Sequence, residues 1–290
     1  ISYNFFIRIN MAKSPDRKKT SNARKKKKKA QGIPWLWILL VLFFLGVVSF
    51  YRYRKEIKWY VMAVSEKVYH PNKHAKARIA SVLEAHKDRA VGIDVSQFQG
   101  TINWDDAVEV EAGIPLTFVF VRATAGNDKK DHAFDYNWQK AKEKQLIRGA
   151  YHYYRPNENS LEQASNFIKT VQLHKGDLPP VLDIEQLPKE QSMDSLKKGL
   201  QRWLDRVEAH YGIRPIIYSG EKYYSDFLKS EFSNYTFWVA NYNEWVGTIK
   251  DDWAFWQFTE KAAIPGISER VDLNIYNGTP KMLRYLTKSN

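Results

Sequence analysis

The sequence predicts an α/β fold: an irregular, TIM-barrel-like (β/α)5(β)3 barrel preceded by one transmembrane helix and a stalk. Three observations predict it. From Val91 onward, apolar runs of strand length alternate with helix-length segments, the pattern of parallel strands joined by crossover helices. After residue 230 the apolar runs continue, but full helices no longer separate them. Upstream, residues 30–51 carry no charge, and about 20 such residues at ~1.5 Å each cross a hydrocarbon core of ~30 Å.

Residues 1–34 read as a basic cytoplasmic tail containing the run Arg24-Lys25-Lys26-Lys27-Lys28-Lys29. Standing alone, such a run is a solvated arm. Met11 before a basic stretch reads as a natural start, so whether residues 1–10 are native stays open. Residues 35–51 are the expected anchor. Trp35 to Phe50 is apolar apart from Gly46 and Ser49, and Trp35, Trp37, Tyr51 and Tyr53 sit at the ends, where aromatic belts form. A buried globular helix is disfavoured, because the segment is apolar all round and lies between basic clusters. A cleaved signal peptide needs a small-x-small site, which Val47-Val48-Ser49-Phe50-Tyr51-Arg52 lacks. The preceding lysines keep the tail inside, so the remainder is expected to be periplasmic or extracellular; Arg52, Arg54 and Lys55 weaken that orientation without reversing it. Residues 52–89 read as a helical stalk, with stripes at Ile57, Val61, Val64 and Val68 and at Ile79, Val82 and Leu83, broken at Pro71.

Residues 90–290 hold the folded domain. Its expected strands are Val91–Val95, Thr117–Ala123, Gly149–Tyr154, Pro180–Glu185 and Pro215–Tyr218, then Phe237–Ala240, Ala254–Phe258 and Val271–Ile275. Helices are expected near 104–111, 132–145, 161–173, 195–211 and 221–230. The clearest carries Leu196, Leu200, Trp203, Leu204 and Val207 on one face.

Composition removes several kinds of chemistry. The 290 residues include no cysteine, so disulfides, thiolate nucleophiles and cysteine-held metals are excluded. Seven histidines show no HExxH or other ligand spacing, so neither metal nor cofactor is expected. The net charge of +13 divides unevenly: residues 1–89 hold 21 Lys/Arg against 5 Asp/Glu, and residues 90–290 hold 24 against 27. The basicity therefore belongs to the N-terminal region and gives the folded domain no nucleic-acid signal. A monomer is expected.

In a parallel barrel, active sites collect at the C-terminal ends of strands. Asp94 closes the run Val91-Gly92-Ile93, Asp183 and Glu185 close the fourth strand, and Asp272 follows Val271 in the last. Residues i and i+2 of a strand face the same way, ~6.6 Å apart along the chain, so Asp183 and Glu185 point together. In such a pair one carboxyl stays ionised while the other holds a proton near neutrality, as glycosidic cleavage requires. The plain alternative is a solvated strand end, or acids paired with Arg122 or Arg214. Tyr151, Tyr153, Tyr218, Trp238, Tyr242, Trp253 and Trp256 lie in or just after these strands. They are either core or flat faces on which sugar rings stack.

An ordered set of motifs goes further than spacing. Gly92-Ile93-Asp94-Val95-Ser96-Gln97-Phe98-Gln99-Gly100 followed by Ile102-Asn103-Trp104 resembles the opening of glycoside hydrolase family 25, the Chalaropsis-type lysozymes. Phe120-Val121-Arg122-Ala123-Thr124, then Asp131, Phe134 and Asn137, resemble its second unit. Gly149-Ala150-Tyr151-His152-Tyr153, Pro156-Asn157 and Gln163-Ala164 resemble its third. Pro180-Val181-Leu182-Asp183-Ile184-Glu185 is similar to its catalytic strand. Ile217-Tyr218-Ser219, Trp238-Val239-Ala240-Asn241-Tyr242, Trp256-Gln257-Phe258 and Val271-Asp272-Leu273-Asn274 complete the series across 91–277.

The resemblance implies a muramidase that cuts the β-1,4 bond between N-acetylmuramic acid and N-acetylglucosamine in peptidoglycan. It implies Glu185 as general acid, and Asp183 as nucleophile or as the carboxylate that orients the substrate's 2-acetamido group. Asp94 and Asp272 would complete the acidic cluster. Tyr153, Tyr218, Trp238, Asn241, Tyr242, Trp256 and Gln257, which fall in these motifs, are expected to bind substrate. One departure stands out: Thr124-Ala125-Gly126 has Ala125 where the family often has Glu. A catalytically weak wall-binding tether is the rival from another class, and Ala125 is its residue-level support. A chitinase-like enzyme would carry a further acid two residues before Asp183, where this chain has Val181.

Overall fold

The computed structural model describes residues 35–69, 71–110 and 113–289. Contacts divide the chain into a unit ending at Ala63 and a second unit from Val64 to Asn290. The tail of residues 1–34 lies outside the described residues. Helix α1 spans Trp35–Tyr69, and its stretch Trp37–Arg54 has a mean hydropathy of 1.5 with none of it buried. By length and composition, this stretch can cross a membrane.

Helix α2, Pro71–Ala85, opens with proline in the first turn, where its missing N–H costs nothing. It buries Ile79, Val82 and Leu83 in the same core as the strands that follow. The sequence placed this helix in a stalk; the structure makes it part of the folded unit, because its apolar stripe covers the barrel. Side chains of the upstream stripe Ile57–Val68 lie outside the described ones.

Eight strands form the barrel: β1 Val91–Val95, β2 Phe118–Ala125, β3 Ile147–Tyr153 and β4 Val181–Asp183, then β5 Ile216–Gly220, β6 Thr236–Ala240, β7 Phe255–Ala262 and β8 Val271–Tyr276. Each pairs with its sequence neighbour, and β1 closes the ring against both β2 and β8. The pairings from β1 to β7 are parallel. The last strand, β8, runs antiparallel to β7 and to β1.

Helices α3 Phe134–Glu143, α4 Ser160–Thr170 and α5 Met193–Tyr211 cover the outside. Asn159 and Ser192 cap α4 and α5 by accepting from backbone N–H groups, and Gly212 at φ +68° ends α5. The stripe from Leu196 to Val207 is buried. Two expected helices differ. In the first, residues 104–108 are turns leading into a small ladder, Glu109–Val110 against Ile114–Pro115, since Val108 and Val110 alternate with acids at strand period and Gly113 at φ +72° makes the turn. Near 221–230 there is one α-turn, Glu221–Tyr223, followed by a wide π-turn, Tyr224–Leu228.

The barrel interior is packed. Phe118, Phe120, Trp238 and Phe255 fill its middle, with Phe120 stacked on Trp238 at 4.5 Å. Gly92 and Gly149 leave room for them: a Cβ at either would come within 2.5 Å of a phenyl ring. Above this plug the inward positions become polar, and the site begins there.

Candidate active site

A cleft of about 790 Å³ opens at the C-terminal ends of the parallel strands and is lined by Asp94, Asp183, Glu185 and Asp272. Asp183 is the last residue of β4 and is buried. The ladder continues one residue beyond it: Tyr154 N donates to Asp183 O at 2.8 Å, and Ile184 N donates to Tyr218 O at 3.0 Å. Ser219 Oγ also donates to Ile184 O at 2.6 Å, so Glu185 leaves a held backbone. The i, i+2 spacing turns both acids into the cleft, where the Glu185 charge bears on the protonation of Asp183.

Asp94 and Asp272 are register partners across the β1–β8 ladder, and both line the cleft. Asp272 is only the second residue of its strand. In a parallel strand that position would lie at the opposite end of the barrel; the reversed direction of β8 brings it to the cleft.

Burial dominates the electrostatics. It pushes the Asp183 carboxyl well up, and the neighbouring charges of Glu185 and Asp94 add to this, against the Arg122 guanidinium. Glu185 is open to the cleft yet crowded by protein, and burial raises it too. Asp94 rises to about 6 through burial, opposed by hydrogen bonds from Asn274 and Gln257. Asp272 rises to about 9 through burial, then through the charges of Asp94 and Glu260. Each pair therefore retains a proton in a pH range where isolated carboxyls have lost theirs. Asp183 Oδ1 is buried with no hydrogen-bond partner among the described residues.

A polar network fixes Asp94. Its Oδ2 accepts from Gln257 Nε2 at 2.8 Å and from Asn274 Nδ2 at 2.7 Å. Gln257 Oε1 accepts from Tyr218 OH at 2.8 Å and from Tyr242 OH. Asn274 Oδ1 accepts from Trp238 Nε1 at 2.8 Å. Each amide donates through its nitrogen to Asp94 and accepts through its oxygen from a ring donor, which holds both amides in one orientation.

Of the residues expected to bind substrate, Tyr153, Tyr218, Trp238, Asn241, Tyr242 and Gln257 line the cleft. Tyr218 and Trp238 are buried, so they form its floor, whereas Tyr242 is exposed at the wall. Trp256 is a correction. It is fully buried, belongs to the core outside the barrel and donates its indole N–H to Asn241 O at 2.9 Å. Strand alternation explains this, since Gln257 faces in and its neighbour must face out.

Tyr151, weighed among the rim aromatics but not among the expected substrate contacts, lines the cleft, as do Phe98 and Arg122. Tyr151 shares its strand face with Tyr153, a signal that was available. Phe98 is 70% exposed and lies under Arg122, whose guanidinium is 4.7 Å from the ring. Arg122 pairs through Nε with Asp131 at 2.8 Å, and Arg214 pairs with Glu208. Neither arginine forms a salt bridge with the Asp183–Glu185 pair. Ala125 lies at the end of β2, in register with Tyr153 and Lys129, and places a methyl where the family often has a carboxylate.

A closed eight-stranded barrel with paired acids at one rim is an arrangement suited to glycoside hydrolysis. The family profile of Glycosyl hydrolases family 25 matches residues 93–267, and the chain belongs to that family. It is 33% identical over 213 residues to Lysozyme M1 of Streptomyces globisporus, covering 68% of this chain and 71% of that one. It is 38% identical over 223 residues to the YegX protein of Escherichia coli K12, covering 74% and 78%. Among solved structures, the lysozyme of Streptomyces coelicolor superposes with a TM-score of 0.61 at 30% identity, covering 69% of this chain and 97% of that one. A family 25 glycosyl hydrolase from Bacillus anthracis gives 0.61 at 25% identity, covering 70% and 95%.

Proposed function

We propose that the enzyme is a lysozyme that hydrolyses the β-1,4 bond between N-acetylmuramic acid and N-acetylglucosamine in peptidoglycan. The observation that carries this reading is the pair Asp183–Glu185, turned together into the cleft by strand alternation beside Asp94 and Asp272. Glu185, nearer the solvent, protonates the leaving oxygen as general acid. Asp183 acts beside it. Asp183 either attacks the anomeric carbon as nucleophile or orients the substrate's own 2-acetamido group while that group attacks. Asp94 and Asp272 supply negative charge that keeps the pair's proton in place.

The apolar stretch of α1 serves as a single-pass anchor, with the barrel on the exported side where peptidoglycan lies. Muropeptide mass spectrometry of a digest by the full chain in detergent tests the bond assignment. The reading requires a reducing N-acetylmuramic acid terminus; a reducing N-acetylglucosamine terminus or an anhydro product overturns it. Removing the N-acetyl groups from the glycan abolishes cleavage if the acetamido oxygen attacks, and leaves it intact if Asp183 does.

A further inference from the structure

Helix α2 precedes the residues matched to the family, yet it grips the segment that walls the cleft. Between β6 and β7 the chain crosses residues 241–254 without a regular helix, so many of its backbone carbonyls lack an intrahelical partner. Arg78 supplies donors. One terminal nitrogen of its guanidinium donates to Phe258 O on β7, and the other donates to Asn243 O at 3.2 Å and Val246 O at 3.5 Å. The guanidinium also lies 5.9 Å from the Trp256 ring and 5.8 Å from the Phe258 ring. Two turns further along, His86 Nδ1 donates to Val82 O at 2.7 Å. That leaves Nε2 to accept from the Ile249 N–H at 3.3 Å.

The gripped segment begins with Asn241 and Tyr242, both of which line the cleft. Trp256 fixes the carbonyl of Asn241 from the core side, and Arg78 fixes the carbonyl of Asn243 from the α2 side. Tyr242 stands between these two fixed points, with its hydroxyl on Gln257, the amide that holds Asp94. A planar guanidinium spanning three carbonyls sets their spacing, which a lysine ammonium on a flexible stem does not.

We propose that Arg78 is a positioning residue for the cleft: by holding Asn243, Val246 and Phe258 it sets where Tyr242 stands against the substrate. Helix α2 is then a working part of the enzyme and not a spacer. The proposal rests on the lysozyme reading, in which Tyr242 touches the glycan.

The test is a mutant cycle on the full chain in detergent, with KM and kcat measured on soluble peptidoglycan glycan. Arg78→Met keeps the aliphatic stem and removes the fork. It raises KM about fivefold and changes kcat less than twofold. In a Tyr242→Ala background the same substitution changes neither, because the side chain it positions is gone. An equal loss in both backgrounds, or no change in the wild-type background, overturns the proposal. If Arg78→Met does not fold, Arg78→Lys, which keeps charge and stem, gives the same comparison with a smaller rise in KM. Failure of wild type to cut the glycan, or a Tyr242→Ala variant with unchanged KM, counts against the lysozyme reading and its Tyr242 contact instead.

Discussion

Asp272 faces Asp94 directly across an antiparallel ladder, its half-buried carboxyl beside the buried one of Asp94. The acid held at about 9 lies beside one held at about 6, so the pair carries roughly one negative charge at neutral pH.

That arrangement ties stability to pH. The folded pKa of Asp272, about 9, lies above its ordinary value of 3.8, so the folded state binds the extra proton. Its contribution is fully present below pH 4 and is lost as pH rises through about 9. Asp272→Asn removes this dependence. The variant's melting temperature relative to wild type therefore climbs from pH 4 to pH 9 in circular-dichroism scans; a constant difference contradicts the assignment.

Under the proposed role of Glu185 as general acid, Glu185→Gln cannot protonate the leaving oxygen. Release of reducing ends from purified peptidoglycan falls by about 10²–10⁴-fold. The residue is open to the cleft and the substitution is isosteric, so the melting temperature stays within a few degrees of wild type.

Asp94 acts on the catalytic pair through its charge, which adds to the upward push on Asp183. Asp94→Asn keeps an oxygen for Gln257 and Asn274 but removes that charge. The pair then loses its proton more easily, and the alkaline limb of the pH–activity profile moves down by about half a unit to one unit. An upward move contradicts the direction of coupling.

Gly92 sits against Phe118 so closely that an added Cβ would meet the ring at 2.5 Å. Gly92→Ala forces the packed interior apart and destabilises the domain by about 1–3 kcal/mol, read from urea unfolding. Activity measured well below the unfolding midpoint stays close to wild type, because the displaced ring lies below the acids.

Legibility in the sequence followed the strength of local periodicity. The stripe from Leu196 to Val207 repeats at helical spacing over three turns, and α5 is found there. The Asp-x-Glu pair was legible because strand alternation alone turns both acids to one face. The same rule, applied to Trp256 and Gln257, would have placed the tryptophan outside; there the motif was followed and the parity was not. Asp272 was assigned to the right rim under a parallel scheme that would have put it at the other one, since strand direction leaves no trace in a six-residue strand that alternates apolar and polar side chains. Residues 104–111 have few side chains to separate helix from ladder, and the Gly113 turn decides between them. The place of α2 depended on a partner surface contributed by β7, far away in sequence, which no local pattern can announce.

The reversed β8 also changes which connection faces the glycan. In an all-parallel barrel, each return to the next strand ends at the face away from the substrate. Here the turn from Ala262 to Val271 stays on the substrate side, where Gly266 O accepts from Asn103 N at 2.8 Å and Arg270 O accepts from Gln99 Nε2 at 3.3 Å. The hairpin carries Ile264 and Ile267 into the core, so this part of the substrate-side rim is anchored by its own apolar side chains and not by a helical crossover.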